Sequence, residues 1–542
     1  MRVIGTCLIL LCLSLGACTG GESNVERGNR EGVLHFGNAT EPQGLDPHVV
    51  TGLPEDHIIR AIFEGLVVKN PYTLEPEPGV AQRWEISSDG LTVTFYLNSE
   101  ARWSNGDAMG ASDYVWSWQR ALSPTMGNQN AYMLYPVKNA AAYATGKLQD
   151  FSQVGVKAID AQTLQVTLNA PTPYFIQLMD HYSTFALHRS TIERFGASTD
   201  RFTKWTRVNN IVGNGAFTLT DWQLHRRIRV EKSSTYWDRD AVKLNAIVFY
   251  PTENITTEER MFRAGQLHYT DAIPLDKIPV YRAMPDSPYR NAPYLGTYFY
   301  LLNTNKPPVN DLRVRRALAL AVDRDKLMRS VLHGVNFSAY SITPPGTLGY
   351  QPPKIFAFDV DTAKEELAAA GYPNGSGWPG LELVYNTSES HRKVAVALQQ
   401  MWKEALNIDV TLTNQEWKVY LDSVDQMNFQ MARRGWIGDY VDPNNFLDLF
   451  LCEGGNNNTG FCDPDFDDMI LRQAPKAKSR EERFEIFHRA ESLLMAHMPI
   501  IPIYTYTSNH LIHHSVKGLP SNLMASLNFK YVYLENAQEV LP

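Results

Sequence analysis

An α/β architecture, with a mixed α+β region in its first half, is what the sequence predicts. Two patterns carry that prediction: apolar residues alternating with period two before about residue 170, and a repeated strand-then-helix rhythm after about residue 295. No internal repeat of about 20–50 residues is present, which argues against a solenoid or propeller. At 542 residues, 44% hydrophobic and 20% charged, the chain has enough apolar material for several packed domains.

From the N-terminus, Arg2 precedes an apolar run from Val3 to Leu15. The run is too short to cross a hydrocarbon core of ~30 Å and suits a secretion signal, residues 1–17. Leu15-Gly16-Ala17-Cys18 resembles a bacterial lipobox, so Cys18 is the expected acylated N-terminus; the alternative is a plain cleaved signal. Residues 18–30 offer little to bury and predict a flexible tether. No other stretch is apolar and long enough to span, so membrane attachment is expected through the lipid alone, at the periplasmic face or outer surface of a bacterial envelope.

Leu91, Val93, Phe95 and Leu97 alternate with polar neighbours, as do Leu164, Val166 and Leu168, which predicts half-buried strands. Between them Ala111 to Leu122 reads as a helix ending before Pro124. Thr256 and Glu259 have the spacing of a capping box, and Gly265 closes the helix they open. After 295 the pairs are Tyr298–Leu302 with Asp311–Val322, Leu381–Tyr385 with His391–Ala405, and Ile408–Leu412 with Glu416–Ser423. That order predicts a parallel sheet with crossover helices. Ser479 and Glu482 cap a last helix that runs to about His497, before Pro499.

A formal charge of −8 and a pI near 6.0 leave no basic face for phosphate backbones, which argues against nucleic acid. The chain contains no His-Glu-x-x-His, no Gly-x-Ser-x-Gly and no phosphate-cradling Gly-x4-Gly-Lys-Ser/Thr, so catalysis and a cofactor are not expected. His513 and His514, near His510, would point to opposite faces of an extended segment and could not share a metal ion. Cys452 and Cys462 flank a Gly/Asn loop with no histidine to complete a zinc site; in an oxidising compartment a disulfide is expected.

Several segments together carry a resemblance: EPQGLDPH (Glu41–His48), IFEGL (Ile62–Leu66), WSNGDAMGASDYVWSWQR (Trp103–Arg120), VGNGAF (Val212–Phe217), NDLRVRRALALAVDR (Asn310–Arg324), NTSESHRK (Asn386–Lys393), NQEWK (Asn414–Lys418) and ARRGWIGDYVDP (Ala432–Pro443). Over nearly the whole exported chain they resemble the oligopeptide-binding branch of the extracytoplasmic solute-binding proteins of ABC importers, solute-binding family 5. The resemblance implies a two-lobed, hinged periplasmic-binding-protein fold with an additional α+β domain packed on the first lobe. It places the first lobe at 31–53, 183–294 and 507–542, the additional domain at 54–182 and the second lobe at 295–506. It also implies a monomer that captures short peptides with a free N-terminus and passes them to permease subunits. A peptide receptor of this kind must recognise what all peptides share, the backbone and the termini.

By the same resemblance Gly435, Trp436 and Ile437 form an edge strand for the peptide backbone, with Glu41 and Gln43 facing from the other lobe. Asp439 is the expected partner of the peptide ammonium; Arg433 and His391 are the expected cations for its carboxylate. Arg433 is the firmer of the two, because arginine stays charged while an unperturbed histidine is mostly neutral at pH 7. Val424 stands where a family relative carries a further arginine. Arg434, beside Arg433, either adds positive potential or faces solvent. The competing readings are the same scaffold binding murein peptides or another solute, and a secreted hydrolase.

Overall fold

The computed structural model describes residues 21–535. Two large apolar bodies organise it. The first gathers Leu34, Phe36, Ile58, Val93, Phe95, Trp118, Leu164 and Phe249; the second gathers Tyr298, Leu318, Leu383, Leu398, Trp402, Phe487 and Ile501.

Two four-stranded sheets share the first body. One is antiparallel throughout, in the order Ala81–Ile86, Thr92–Leu97, Thr163–Thr167, Val156–Ala158. Its alternating Val93, Phe95, Leu164 and Val166 all point inward and are buried, as period-two spacing requires. Against it lies the helix Ala111–Ala121, whose buried Trp118 donates through Nε1 to the Thr184 carbonyl at 2.9 Å. The other sheet runs Val33–Gly37, Ala246–Tyr250, Arg227–Lys232, Phe217–Gln223, parallel only between its first two strands.

The second body surrounds a six-stranded sheet in the order Phe337–Ser338, Ile500–Leu511, Tyr289–Leu302, Met431–Ile437, Leu381–Asn386, Val410–Gln415. This sheet is mixed, which corrects the expected parallel sheet. Leu381–Asn386 is parallel to both its neighbours, but Tyr289–Leu302 is antiparallel to both of its own. The reason lies in the connection between the bodies. Tyr289–Leu302 carries the chain out of the first body and Ile500–Leu511 brings it back, so the two must run in opposite senses.

These strands form the crossing. Tyr289–Pro293 pairs with Thr507–Leu511 at the first body, where Thr270 N–H donates to the Leu511 carbonyl at 3.0 Å. Thr297–Leu301 pairs with Ile500–Thr505 inside the second body, and the register shifts between Pro293 and Thr297. A shift of this kind bends a strand and interrupts its ladder, here midway between the two bodies.

Three further expectations change. The flexible tether through Arg30 is corrected by a helix at Asn24–Glu31. Ser23 Oγ accepts from Glu26 N–H at 3.2 Å and Glu26 accepts from Ser23 N–H at 2.8 Å, a complete capping box. Gly28 is a packing residue: a Cβ there would lie 2.4 Å from the Val33 carbonyl oxygen. The signal peptide and Cys18 fall outside the described residues.

The helix expected from Thr256 spans Ile255–Arg263 and is capped by Asn254, whose side chain accepts from Thr257 N–H at 2.9 Å. Glu259 is thereby freed to accept from Tyr281 Oη at 2.6 Å. Finally, His513 and His514 do not diverge. They sit at a turn after the strand, with ring centroids 4.1 Å apart, and among the described residues no group of three ligating side chains could hold a metal ion.

Cys452 and Cys462 are bonded, with Cα atoms 4.5 Å apart. Asn457 organises the loop they close, donating to the carbonyls of Phe450, Leu451 and Phe461. No described helix is long and apolar enough to cross a membrane.

Candidate functional site

The segment from Met431 to Asp439 lies beside the crossing strands. On one side Met431–Ile437 is fully paired, from Leu302↔Met431 to Gly296↔Ile437. On the other, pairing with Leu381–Asn386 stops at Val384↔Ala432. Residues 433–437 therefore present an unpaired edge. Its polarity can be read from Arg433, whose carbonyl accepts from the Tyr420 hydroxyl instead of from a neighbouring strand. Backbone groups alternate with period two, so Gly435 and Ile437 turn their N–H and C=O groups to the same open edge. An exposed edge of this kind is a template for an added strand.

Asp439 closes the edge at one end. Tyr132 Oη, from the first body, donates to its Oδ2 at 2.7 Å, and its own N–H donates to Asn445 Oδ1 at 3.2 Å. Burial pushes the carboxyl up to about 6, while hydrogen bonds from Tyr132 and Asn445 and the charge of Lys69 pull it down. It is thus mostly ionised at neutral pH. Its neighbours differ. Asp442 is committed to a bidentate pair with Arg483, at 2.7 and 2.8 Å. Burial and then the charge of Asp439 push Asp448 up to about 8, so it is mostly protonated at pH 7. Of these three carboxyls, only Asp439 is both charged and without a cation in contact, which is the state needed to receive an ammonium.

Arg433 stands at the other end. Its guanidinium lies over the Tyr298 ring at 4.5 Å from the centroid and donates through an Nη to Tyr506 Oη at 2.7 Å, while its buried Nε has no partner. Gly435 makes this fit possible: a Cβ there would lie 2.4 Å from Tyr506 Oη and 3.3 Å from the guanidinium. His391, at the start of the Glu389–Leu406 helix, faces the Tyr298 ring at 5.6 Å. Burial, and then the charge of Arg433, pull it down to about 3. Its buried Nδ1 has no partner, which leaves it fit for hydrogen bonding.

Glu41 and Gln43 make their hydrogen bonds to other segments. Glu41 accepts from Trp222 Nε1 at 2.7 Å and from His225 N–H at 3.0 Å, so its carboxylate fastens the tip of the 217–232 hairpin. The backbone N–H of Gln43 donates to Glu55 Oε1 at 2.7 Å. Among the described residues neither makes a hydrogen bond or ion pair with the 431–439 segment. Trp436 is likewise supportive, donating through Nε1 to Asn445 Oδ1 at 2.8 Å.

The first body also reaches the segment just beyond Asp439. Tyr174 stacks on Tyr440 with centroids 4.5 Å apart, and Gln177 accepts from Val441 N–H at 3.2 Å. Sequence reading missed Tyr132, Tyr420 and Asn445, which have no local signature. It also missed Tyr298 and Tyr506. A signal existed for these two, because tyrosines repeat with period two at 298 and 300 and at 504 and 506.

Residues 75–458 match the model of the bacterial extracellular solute-binding proteins, family 5 (middle). The chain belongs to this family. Family 5 is a family of solute-binding proteins, not of enzymes. The chain is 38% identical over 491 residues to the periplasmic oligopeptide-binding protein OppA of Escherichia coli (strain K12), covering 89% of this chain and 88% of that one. Its fold superposes on the Escherichia coli murein tripeptide-binding protein MppA with a TM-score of 0.82 at 35% identity, covering 93% of this chain and 98% of that chain. It superposes equally, at 0.82 and 31% identity over 93% and 99% of the two chains, on Haemophilus influenzae OppA in complex with the peptide RPPGFSPFR. The unliganded open form of MppA, at 35% identity over 93% and 97% of the chains, gives 0.74. The two lobes of this family 5 protein are therefore set more like the first two structures than like the open form.

Proposed function

We propose that this protein is an exported peptide receptor that binds short peptides as an added strand between its two lobes and delivers them to an ABC importer. The observation that carries this reading is the unpaired 433–437 edge, with an unpaired carboxylate at one end and an incompletely satisfied guanidinium at the other. The peptide backbone would bond to Gly435 and Ile437, its ammonium to Asp439 and its carboxylate to Arg433, with the neutral His391 as an added donor. The lobes correspond to 31–53, 183–294 and 507–542 for the first and 295–506 for the second, with 54–182 as an additional domain that supplies Tyr132. The protein works as a monomer, and Cys18 anchors it by lipid, so that Cys18→Ser releases it into the soluble fraction. Unchanged membrane association of that variant would reject the anchor.

The deciding experiment is a double-mutant cycle. Stranding a buried ammonium costs several kcal/mol, and a charge-assisted hydrogen bond contributes about 1.5–3 kcal/mol. Asp439→Asn should weaken a free-amine peptide by at least about tenfold, ~1.4 kcal/mol. N-acetylation should weaken the wild type similarly and the variant much less. Calorimetric titration of both proteins with both peptides reads this directly; equal binding of acetylated and free peptide by the wild type would remove Asp439 from its role.

Murein peptides are the second reading, favoured by the superposition on MppA. Competition between a murein tripeptide and a mixed peptide pool, followed by mass spectrometry of the retained fraction, separates the two. Intact retained peptides also separate either reading from hydrolysis, in which fragments accumulate with time.

A further inference from the structure

Arg434 has no place in the site described above, yet its surroundings call for an account. It follows Arg433 in the strand and is registered opposite Phe299, so its side chain leaves the sheet on the face opposite Arg433. It is half-buried. Among the described residues it makes no hydrogen bond and no ion pair, although most of the buried or half-buried arginines elsewhere in the molecule are paired: Arg60 with Asp56 and Asp180, Arg120 with Asp46, Arg483 with Asp442. Its charge is felt by Tyr420, whose hydroxyl marks the open edge at Arg433, and it feels Asp425 without reaching ion-pair distance. A guanidinium is thus held beside the open edge, desolvated in part, with no anion of the described residues in contact.

Resting on the peptide-receptor reading, we infer that Arg434 selects peptides with an acidic side chain on the residue lying across the open edge from it. The direction of the bound strand sets which residue that is. With the ammonium at Asp439 and the carboxylate toward Arg433, the peptide runs antiparallel to 433–437. Residues directly opposite in an antiparallel pair project to the same face, so the peptide residue facing Arg434 points at its guanidinium. Arg434 lies three positions before Ile437, and counting from an N-terminal residue at Ile437 gives about the fourth peptide residue. Arg433 serves the terminus on one face while Arg434 serves a side chain on the other, which separates general affinity from sequence preference.

The test is a glutamate scan. Alanine pentapeptides carrying a single Glu at position 3, 4 or 5 are titrated by calorimetry beside the same peptides carrying Gln. At one position Glu should bind about threefold to fivefold tighter than Gln, the range of a partly exposed ion pair. Arg434→Gln should bring that ratio to one, and Arg434→Glu should reverse it in favour of a peptide with Lys at the same position. A ratio of one at every position in the wild type overturns the inference, as does a ratio that persists in both variants. If one variant does not fold, the other and the wild-type scan still decide. Binding of the all-alanine peptide without any Glu preference rejects the role of Arg434 and leaves the receptor reading standing; absence of all peptide binding rejects both.

Discussion

The two ends of the 433–439 edge are built in opposite ways. At Asp439 the charge is anionic, and its hydrogen-bond donor Tyr132 comes from the first body. At Arg433 the charge is cationic, and its supports come from the crossing strands, Tyr298 and Tyr506, and from Gly435 beside it. The anionic end is thus shared between the two bodies, whereas the cationic end is assembled against the crossing strands. On the proposed function the difference couples ammonium capture to closure and leaves the carboxylate end preformed.

The largest expected effect breaks the preformed end. Arg433→Met keeps the apolar stem and removes the fork; loss of a buried charged partner costs about 2–5 kcal/mol. Peptides with a free C-terminus should therefore weaken by roughly thirtyfold or more, and C-terminally amidated peptides should not discriminate the two proteins. Equal losses for both peptides, measured calorimetrically, would mean that Arg433 acts by packing.

The pH dependence sharpens the comparison, because only the anionic end titrates near neutrality. Asp439 is raised to about 6, so its own step is complete by about pH 7; toward pH 8 the peptide ammonium, ordinarily at about 7.7–8.0, and Asp448, raised to about 8, titrate in turn. Below about pH 6 binding must first remove a proton, and affinity should fall by up to about tenfold per unit, the limit for a single proton. His391, held near 3, stays neutral through this window and should contribute no step. Titrations from pH 4.5 to 8 in wild type and Asp439→Asn should show the fall only in the wild type.

Tyr132→Phe removes the donor from the first body and nothing else from Asp439. One hydrogen bond to a charged group is worth about 1.5 kcal/mol at its lower end, so free-amine peptides should weaken by roughly tenfold or less, with the pH midpoint moved upward. Acetylated peptides should be nearly indifferent to it. A fall shared by both peptides would make Tyr132 a general closure contact. The smallest effect belongs away from the edge. Removing the Cys452–Cys462 bond with paired serines should lower stability by about 2–3 kcal/mol in denaturant unfolding and leave peptide affinity unchanged.

Much of the second lobe was legible because its helices are amphipathic and capped by local signals. Ser479 accepts from Glu482 N–H at 3.1 Å, as its spacing predicts, and Val394 and Leu398 are buried where their periodicity places them. The residues of the edge were found through their likeness to a family motif, not through periodicity. Misreadings came where a local rule had a competitor. Asn254 displaced Thr256 as a cap, and Ser23 with Glu26 formed a helix in a stretch whose composition suggests a tether.

By itself, the sequence determined the elements, since helical and strand periodicity, caps and proline stops act over a few residues. It also determined which residues bear charge along 433–448. Only the tertiary structure decided which of those charges are free. Asp442, Asp448 and Asp439 lie within ten positions of one another, yet Arg483 neutralises the first, burial the second, and Tyr132 leaves the third ionised. Each of those determinants is a distance between segments far apart in the chain. Desolvation and Coulomb interaction depend on that distance in space, and no local pattern encodes it.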